Sequence, residues 1–301
     1  MHFSLRSLFG LPEFDAASSE ALPETRKKLF FSVLHNQRFS IFLFSLACAV
    51  LLLPTEIWSF IHLLLLKRYF SAPEASLPSG WLSRYLILLI PLASLSGPFL
   101  AGPARIIRDL ARGESISPIS VFSDAVKTSW KQTLLLTFLT SCLPLLLYSA
   151  ALYRHSSGSG VLSAFIFWAV VIIALLWFLM LPLLFVIAVT YDLPFSHILW
   201  DGVYLTFRHF GRALKRFAFS LIPLAVVLFA CAAYPYAFAL LGALYFALYI
   251  LFFYGMHALL SASYANEVCE NELNIHIPGA HVDIGLSSEY TVPAGSENTS
   301  V

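Results

Sequence analysis

Two stretches of this 301-residue chain contain no Lys, Arg, Asp or Glu: His155 to Tyr191 and Phe217 to Asn266. Runs of that length without charge have few places to go. Crossing ~30 Å of hydrocarbon as a helix takes about 20 apolar residues. A helix also satisfies its own backbone polar groups there, which lipid cannot do. The whole chain is 59% hydrophobic and 12% charged, against about 25% charged in a soluble domain. The expected fold is all-α: a polytopic membrane helix bundle of about six spans.

The spans read as about Phe39–Leu66, Tyr85–Ala104, Gln132–Tyr153, Val161–Thr190, Phe217–Tyr234 and Tyr236–Ser263. The first contains Pro54 and Glu56 and is followed by Lys67 and Arg68. The second carries Pro91, Gly97, Pro98, Gly102 and Pro103, so a kinked helix is expected, whose freed carbonyls need partners. Three units follow: an N-terminal arm, 1–38; a membrane domain, 39–263; and a tail, 264–301. In the arm, Leu5, Leu8, Phe9 and Leu11 suggest one surface-lying helix, and Leu29, Phe30, Val33 and Leu34 a second. A partly disordered arm is the alternative. No uninterrupted apolar core follows the first basic residue, so the arm does not read as a secretory signal peptide. The tail holds six acids, no Lys or Arg, and many Gly, Ser and Pro, the composition of a flexible acidic segment.

Basic residues fix the expected orientation. Lys and Arg number five in the arm, five in the 105–132 loop, four in the 191–216 loop and none in the tail. The loops on the other side hold three, one and none, with Lys67-Arg68 the one pair pulling the other way. Both termini and both basic loops are therefore expected in the cytoplasm.

Each basic loop holds a version of one pattern. Asp124-Ala-Val-Lys-Thr-Ser-Trp-Lys131 aligns with Asp201-Gly-Val-Tyr-Leu-Thr-Phe-Arg208. Ser117 and Pro118 suit the start of a helix, and Ile119, Phe122, Val126 and Trp130 form one stripe at helical spacing. The loops are thus expected to hold two interfacial helices in an internal repeat, with hairpins 85–153 and 161–234 as its two copies. Candidate interaction residues are Asp124, Trp130 and Lys131, then Asp201, Phe207 and Arg208, with Arg105 and Arg108 on the basic extension before the first copy. Asp124 with Lys127 or Lys131, and Asp201 with Arg208, form pairs or stand as solvated charges. The bases would lie near anionic headgroups, worth ~1 kcal/mol each.

Two intramembrane polar candidates remain. Glu56 is the one acid inside an apolar run. An acid buried there marks a functional pathway, but its position, near the far boundary of the span, equally suits an interfacial site, as does that of His62. His257 in the sixth span is either a proton acceptor or, with Tyr254 one turn away, an interhelical hydrogen-bond partner. Cys48, Cys142 and Cys231 fall in apolar runs and Cys269 stands alone in the tail, which suggests no disulfide framework. His276 and His281 lack the company a metal site needs.

Gly102-Pro103-Ala104 closing a span, the basic extension Arg105 to Arg112, a polar turn and then the Asp124 to Lys131 helix entering the next span together resemble the bacterial YesL family. That family comprises small integral membrane proteins of unassigned function. The resemblance covers roughly residues 40–255 and rests on motif order and span layout. It implies a protein of the bacterial cytoplasmic membrane associated with carbohydrate uptake, and it supplies no catalytic residues. The long arm and acidic tail depart from the pattern.

No phosphate loop, zinc helix, nucleophile elbow or paired catalytic carboxylates occur in the sequence, and no cofactor is implied. No basic face on a soluble domain points to nucleic acid. The expected function is non-enzymatic: an accessory or interaction component, with the bilayer and a transport subunit or other protein as partners. The alternative is a small-solute transporter with a site between the two hairpins. Its spans offer Ser, Thr, Tyr and Trp but almost no Asn or Gln to line a path.

Overall fold

The computed structural model describes residues 22–71, 80–114, 117–156, 160–233, 242, 244–245 and 247–293. Its helices are α1 (Arg26–Asn36), α2 (Arg38–Ser71), α3 (Trp81–Ala111), α4 (Pro118–Ser156), α5 (Val161–Thr190), α6 (Phe195–Arg208), α7 (Phe210–Ala233) and α8 (Tyr254–Glu272). A π-helical turn, Tyr249–Phe253, leads into α8. A 3-10 turn, Asn274–His276, and a two-residue antiparallel pairing of β1 (His281–Val282) with β2 (Tyr290–Thr291) follow it. The fold is all-α, and Arg38–His62 of α2 together with α3, α4 and α5 are long and apolar enough to cross a membrane.

The largest helix pair is α3 with α4, and small residues make it close. A side chain placed on Gly97 would lie 2.0 Å from Thr137 Oγ1 and 2.9 Å from the Leu134 Cα. One on Gly102 would strike the Phe122 ring at 2.1 Å. The facing hydroxyls donate along their own helices: Thr133 to the Ser129 carbonyl at 3.0 Å, Thr137 to that of Thr133 at 2.8 Å, and Ser94 to that of Ile90 at 2.6 Å. Ser96 reaches across to the Leu51 carbonyl of α2 at 2.8 Å, just before Pro54. This is the packing expected where lipid tails are as apolar as leucine and only close backbone approach favours association.

Four expectations change here. The first interfacial helix and the third span are one helix, Pro118–Ser156, because no breaker lies between Ser117 and Pro144. At ~1.5 Å per residue its 39 residues extend ~58 Å, far beyond a ~30 Å core, so one end projects. The stripe it turns inward is Phe122, Ala125, Ser129 and Thr133, whereas Ile119 and Trp130 are exposed. In a membrane bundle the small and hydroxyl side chains face protein and the large apolar ones face out. Helix α1 forms where expected, but Leu29 and Val33 pack against Ile107, Leu110 and Leu286 of the protein, leaving no apolar stripe for a bilayer.

The last change is the largest. Residues 264–293 are ordered. Helix α8 runs through to Glu272, and Ala265, Asn266, Val268, Cys269 and Glu270 are buried. The acids that made this stretch look like a tail are neutralised by bases folded against it. The helix is wedged between two cores. Leu259 and Ala262 join α1, α2 and α3, whereas Ala265, Val268 and Cys269 join Leu183, Leu184, Ile187, Ile198, Leu205 and Ala213 of α5, α6 and α7. Gly255 allows the approach to α2, since a side chain there would lie 2.7 Å from the Ile41 carbonyl. The Leu5 to Leu11 segment, Pro235 and most of residues 234–246 lie outside the described residues.

The second pattern copy is a separate helix, α6, which ends at His209 before α7 begins. Its facing nonetheless matches the first. Ala125 and Gly202 are buried, as are Ser129 and Thr206, and Trp130, Lys131, Phe207 and Arg208 are exposed.

Replacing Gly97 with Ala should push α3 and α4 apart and cost about 1–3 kcal/mol, read as a lower melting temperature in mild detergent. Gly211→Ala, where nothing lies within 4 Å of the new methyl, should be neutral or gain up to about 1 kcal/mol in a helix. Equal responses would contradict the close α3–α4 seam.

Candidate functional site at the basic end of the bundle

Helix ends carry unpaired backbone groups, and basic side chains complement the carbonyl end. The C-terminus of α5 is treated that way by α3. Arg105 Nη1 donates to the Val189 carbonyl at 2.5 Å, and Arg108 Nη1 donates to Thr190 Oγ1 at 3.0 Å. Arg108 also holds Asp109 through Nε at 2.7 Å. The end of α3 is capped in turn by α8, where Asn266 Nδ2 donates to the Arg108 carbonyl at 3.0 Å.

One turn further along α8 stands Glu270, fully buried. Its carboxylate pairs with Arg26 of α1 and, at 3.1 Å, with Arg112 Nε at the end of α3. It also accepts the Ile284 N–H at 3.1 Å, and Arg26 Nη1 donates to the Ile284 carbonyl at 2.9 Å. Gly285, at φ 77°, lets the chain pass so close to Arg112 that a side chain there would sit 2.1 Å from the Arg112 carbonyl oxygen. Burial pushes the Glu270 carboxyl above the ordinary carboxylate range, against the opposing pull of Arg26 and Arg112. Burial also pushes the neighbouring Cys269 thiol up to about 12.

Two further acids of α8 repeat the arrangement nearer solvent. Glu272 pairs with Arg208 at 3.0 Å and with His209 at 2.9 Å, where α6 gives way to α7. Glu267 pairs with Arg212 at 2.9 Å. Beyond the helix, Asn274 accepts from the Tyr191 hydroxyl at 2.6 Å and donates to the His281 carbonyl at 2.7 Å. Exposed pairs contribute about 0.2–1 kcal/mol. Breaking a buried pair costs about 3–5 kcal/mol, because it strands the remaining charge. Glu270 with Arg26 and Arg112 therefore decides whether the end of α8 stays in place.

The expected residues fall on both sides of this arrangement. Arg105 and Arg108 belong to it. Arg108 is buried, so it does not face headgroups as expected, since the end of α5 gives it better partners than water. Arg208 pairs with Glu272 and the Tyr204 hydroxyl and not with Asp201, because the α8 acid reaches it first. Asp124, Trp130 and Lys131 stand apart. Among the described residues Asp124 forms no ion pair with Lys127 or Lys131, and the Lys131 ammonium lies 5.6 Å from the Trp130 ring centroid. Phe207 is exposed.

Glu56 is partly buried in α2. His62 is buried among Trp58, Tyr85 and Trp81, with ring centroids at 4.2, 4.7 and 5.6 Å. Because a carbonyl only accepts, its Nδ1 carries the proton in the 2.9 Å bond to the Trp58 oxygen. His257 is half-buried in α8. Among the described residues it makes no hydrogen bond to Tyr254, whose ring stacks 6.2 Å from Phe44.

Glu270, Arg26, Arg112 and Asn266 were not singled out by the sequence reading. The usable signal was the run of small and apolar residues Leu259, Ala262, Ala265 and Cys269, which carries the helical period past Ser263. Among the described residues no three His, Cys, Asp or Glu side chains come together as metal ligands would. What the site does chemically is neutralise and hold. It brings α1, the end of α3 and the segment at Ile284 to one carboxylate on α8.

With Cys48, Cys142 and Cys231 replaced by Ala, Cys269 should react slowly with a maleimide in the folded protein. Glu270→Ala should raise that rate at least tenfold, consistent with a cost of about 3–5 kcal/mol, whereas Glu267→Ala should leave it nearly unchanged. An unaltered rate in Glu270→Ala would show that the buried cluster does not hold α8.

No protein-family model, curated protein or solved structure matches this chain.

Proposed function

We propose that this chain is a non-enzymatic accessory component of the bacterial cytoplasmic membrane. It crosses six times, with both termini and both basic loops in the cytoplasm, and it docks a protein partner on the two pattern helices. The partner is a membrane transport subunit, which the resemblance to the YesL family links to carbohydrate uptake.

One observation carries the docking reading. Arg105, Arg108 and Arg112 of α3, Arg208 of α6 and Arg212 of α7 are paired with acids of the same chain, whereas the projecting end of α4 presents Asp124, Lys127, Trp130 and Lys131 without an ion pair among the described residues. Trp130 is 42% exposed and Ile119 70% exposed beyond the apolar run of α4. A rigid helix end offering an aromatic anchor ringed by mixed charge has the composition of an interaction hot spot. The matching exposure of Phe207 and Arg208 on α6 supports a two-point platform built from the repeat.

The transporter reading needs a polar path between hairpins 85–153 and 161–234. The spans offer Ser, Thr, Tyr and Trp but almost no Asn or Gln to line one, which favours the accessory reading.

The test is affinity isolation from gently solubilised native membranes. A stoichiometric partner should be recovered, and the double substitution Trp130→Ala, Lys131→Glu should weaken it by about 2 kcal/mol, roughly thirtyfold. Cysteines placed at Lys127 and Arg212 should both label from the cytoplasmic side alone. Recovery of no partner would overturn the docking role, and labelling from opposite sides would overturn the topology beneath it.

A further inference from the structure

Arg216, near the start of α7, is 8% exposed and makes no ion pair with a carboxylate among the described residues. Its guanidinium is surrounded instead by neutral groups. Nη1 donates to Ser261 Oγ at 3.0 Å, and Nη2 donates to the carbonyls of Phe178 and Leu179 at 3.3 and 3.4 Å. The group also lies 5.6 Å from the centroid of the Tyr264 ring. A charge withdrawn from water needs a counter-charge or an equivalent set of dipoles.

The carbonyls come from the interior of α5, where such oxygens ordinarily serve the helix itself. Pro182 explains why the Phe178 oxygen is free, whereas the Leu179 oxygen keeps the N–H of Leu183 within the helix and is shared with Arg216. In an α-helix the oxygen of residue 178 accepts from the N–H of residue 182. Proline has no N–H, and its ring crowds that same oxygen. Helix α8 completes the set with Ser261 and Tyr264, three residues apart and so on one face. Two helices, α5 and α8, thus surround the guanidinium carried by α7 with groups of partial negative charge: two carbonyl oxygens, a hydroxyl oxygen and the face of an aromatic ring.

We propose that the Phe178 and Leu179 carbonyls, the Ser261 hydroxyl and the Tyr264 ring form a monovalent-cation site, in which the Arg216 guanidinium is the resident, tethered cation. Carbonyls left without a helical N–H partner are where membrane transporters hold a coupling ion. Here the chain fills that place itself, which pins α5, α7 and α8 together beside Pro182. The inference stands apart from partner docking, since it concerns a different set of helices and a different readout.

Thermal unfolding of the full chain in mild detergent tests it. Arg216→Met keeps length and apolar bulk and should lower the melting temperature by several degrees. Arg216→Lys, a cation without the planar fork, should fall between Met and the natural residue. Pro182→Ala returns an N–H to the Phe178 oxygen, so Arg216→Met should cost markedly less in that background. Millimolar methylguanidinium should raise the melting temperature of Arg216→Ala and leave the natural protein unchanged, and sodium should do less. The proposal is overturned if Arg216→Met melts like the natural protein, if its cost is the same with and without Pro182, or if methylguanidinium has no effect on Arg216→Ala.

Discussion

A single carboxylate, Glu270, has two guanidinium partners brought from residues 26 and 112, and the basic end of the molecule depends on it. Removing Glu270 strands two guanidiniums, whereas removing either arginine leaves the carboxylate with the other. Placing all three together removes positive charge from the ends of α1 and α3 and fixes the position of α8 between two apolar cores. A buried ionic cluster adds little net stability compared with well-packed apolar residues. Its value here is positional, because it ties α1, the end of α3, α8 and the Ile284 turn to one carboxylate.

This constraint explains the segregation of charge along the chain. Basic residues gather in the arm and at the ends of α3, α6 and α7, whereas the last forty residues hold six acids and no Lys or Arg. Read as composition, the second group resembles a soluble tail. Read as structure, Glu267, Glu270 and Glu272 answer Arg212, Arg26 with Arg112, and Arg208 with His209. The exposed members of this set contribute little each, while the buried member fixes the register of the rest. Backbone carbonyls are served by the same logic: Arg105 at the end of α5, Asn266 at the end of α3 and Arg216 one turn before Pro182 each donate to a carbonyl oxygen.

Much of the architecture was legible in the sequence, for physical reasons that also mark where the reading stopped. Length and lack of charge are sufficient signals for a membrane helix, so α2 to α5 fell close to their expected places. The helical extension Arg105 to Arg112 followed from its spacing. The inward face of α4 is built from small and hydroxyl side chains that allow close approach to α3, and a stripe of large apolar residues does not mark such a face. Ala125, Ser129 and Thr133 face the protein, and Trp130 does not. The end of α8 was missed because a charged stretch was weighed without its partners, which lie up to 244 residues away in sequence. Within the candidate site, Arg105 and Arg108 were visible as a basic stripe, but nothing local marked Glu270 as their neighbour.

Hydrogen–deuterium exchange over residues 264–292 reads whether the Glu270 cluster holds the end of α8 in place. The amides of Asn266 to Glu272 and of Ile284 should exchange as slowly as those in the buried half of α5. Exchange within seconds across that stretch, as a free tail would show, would contradict it.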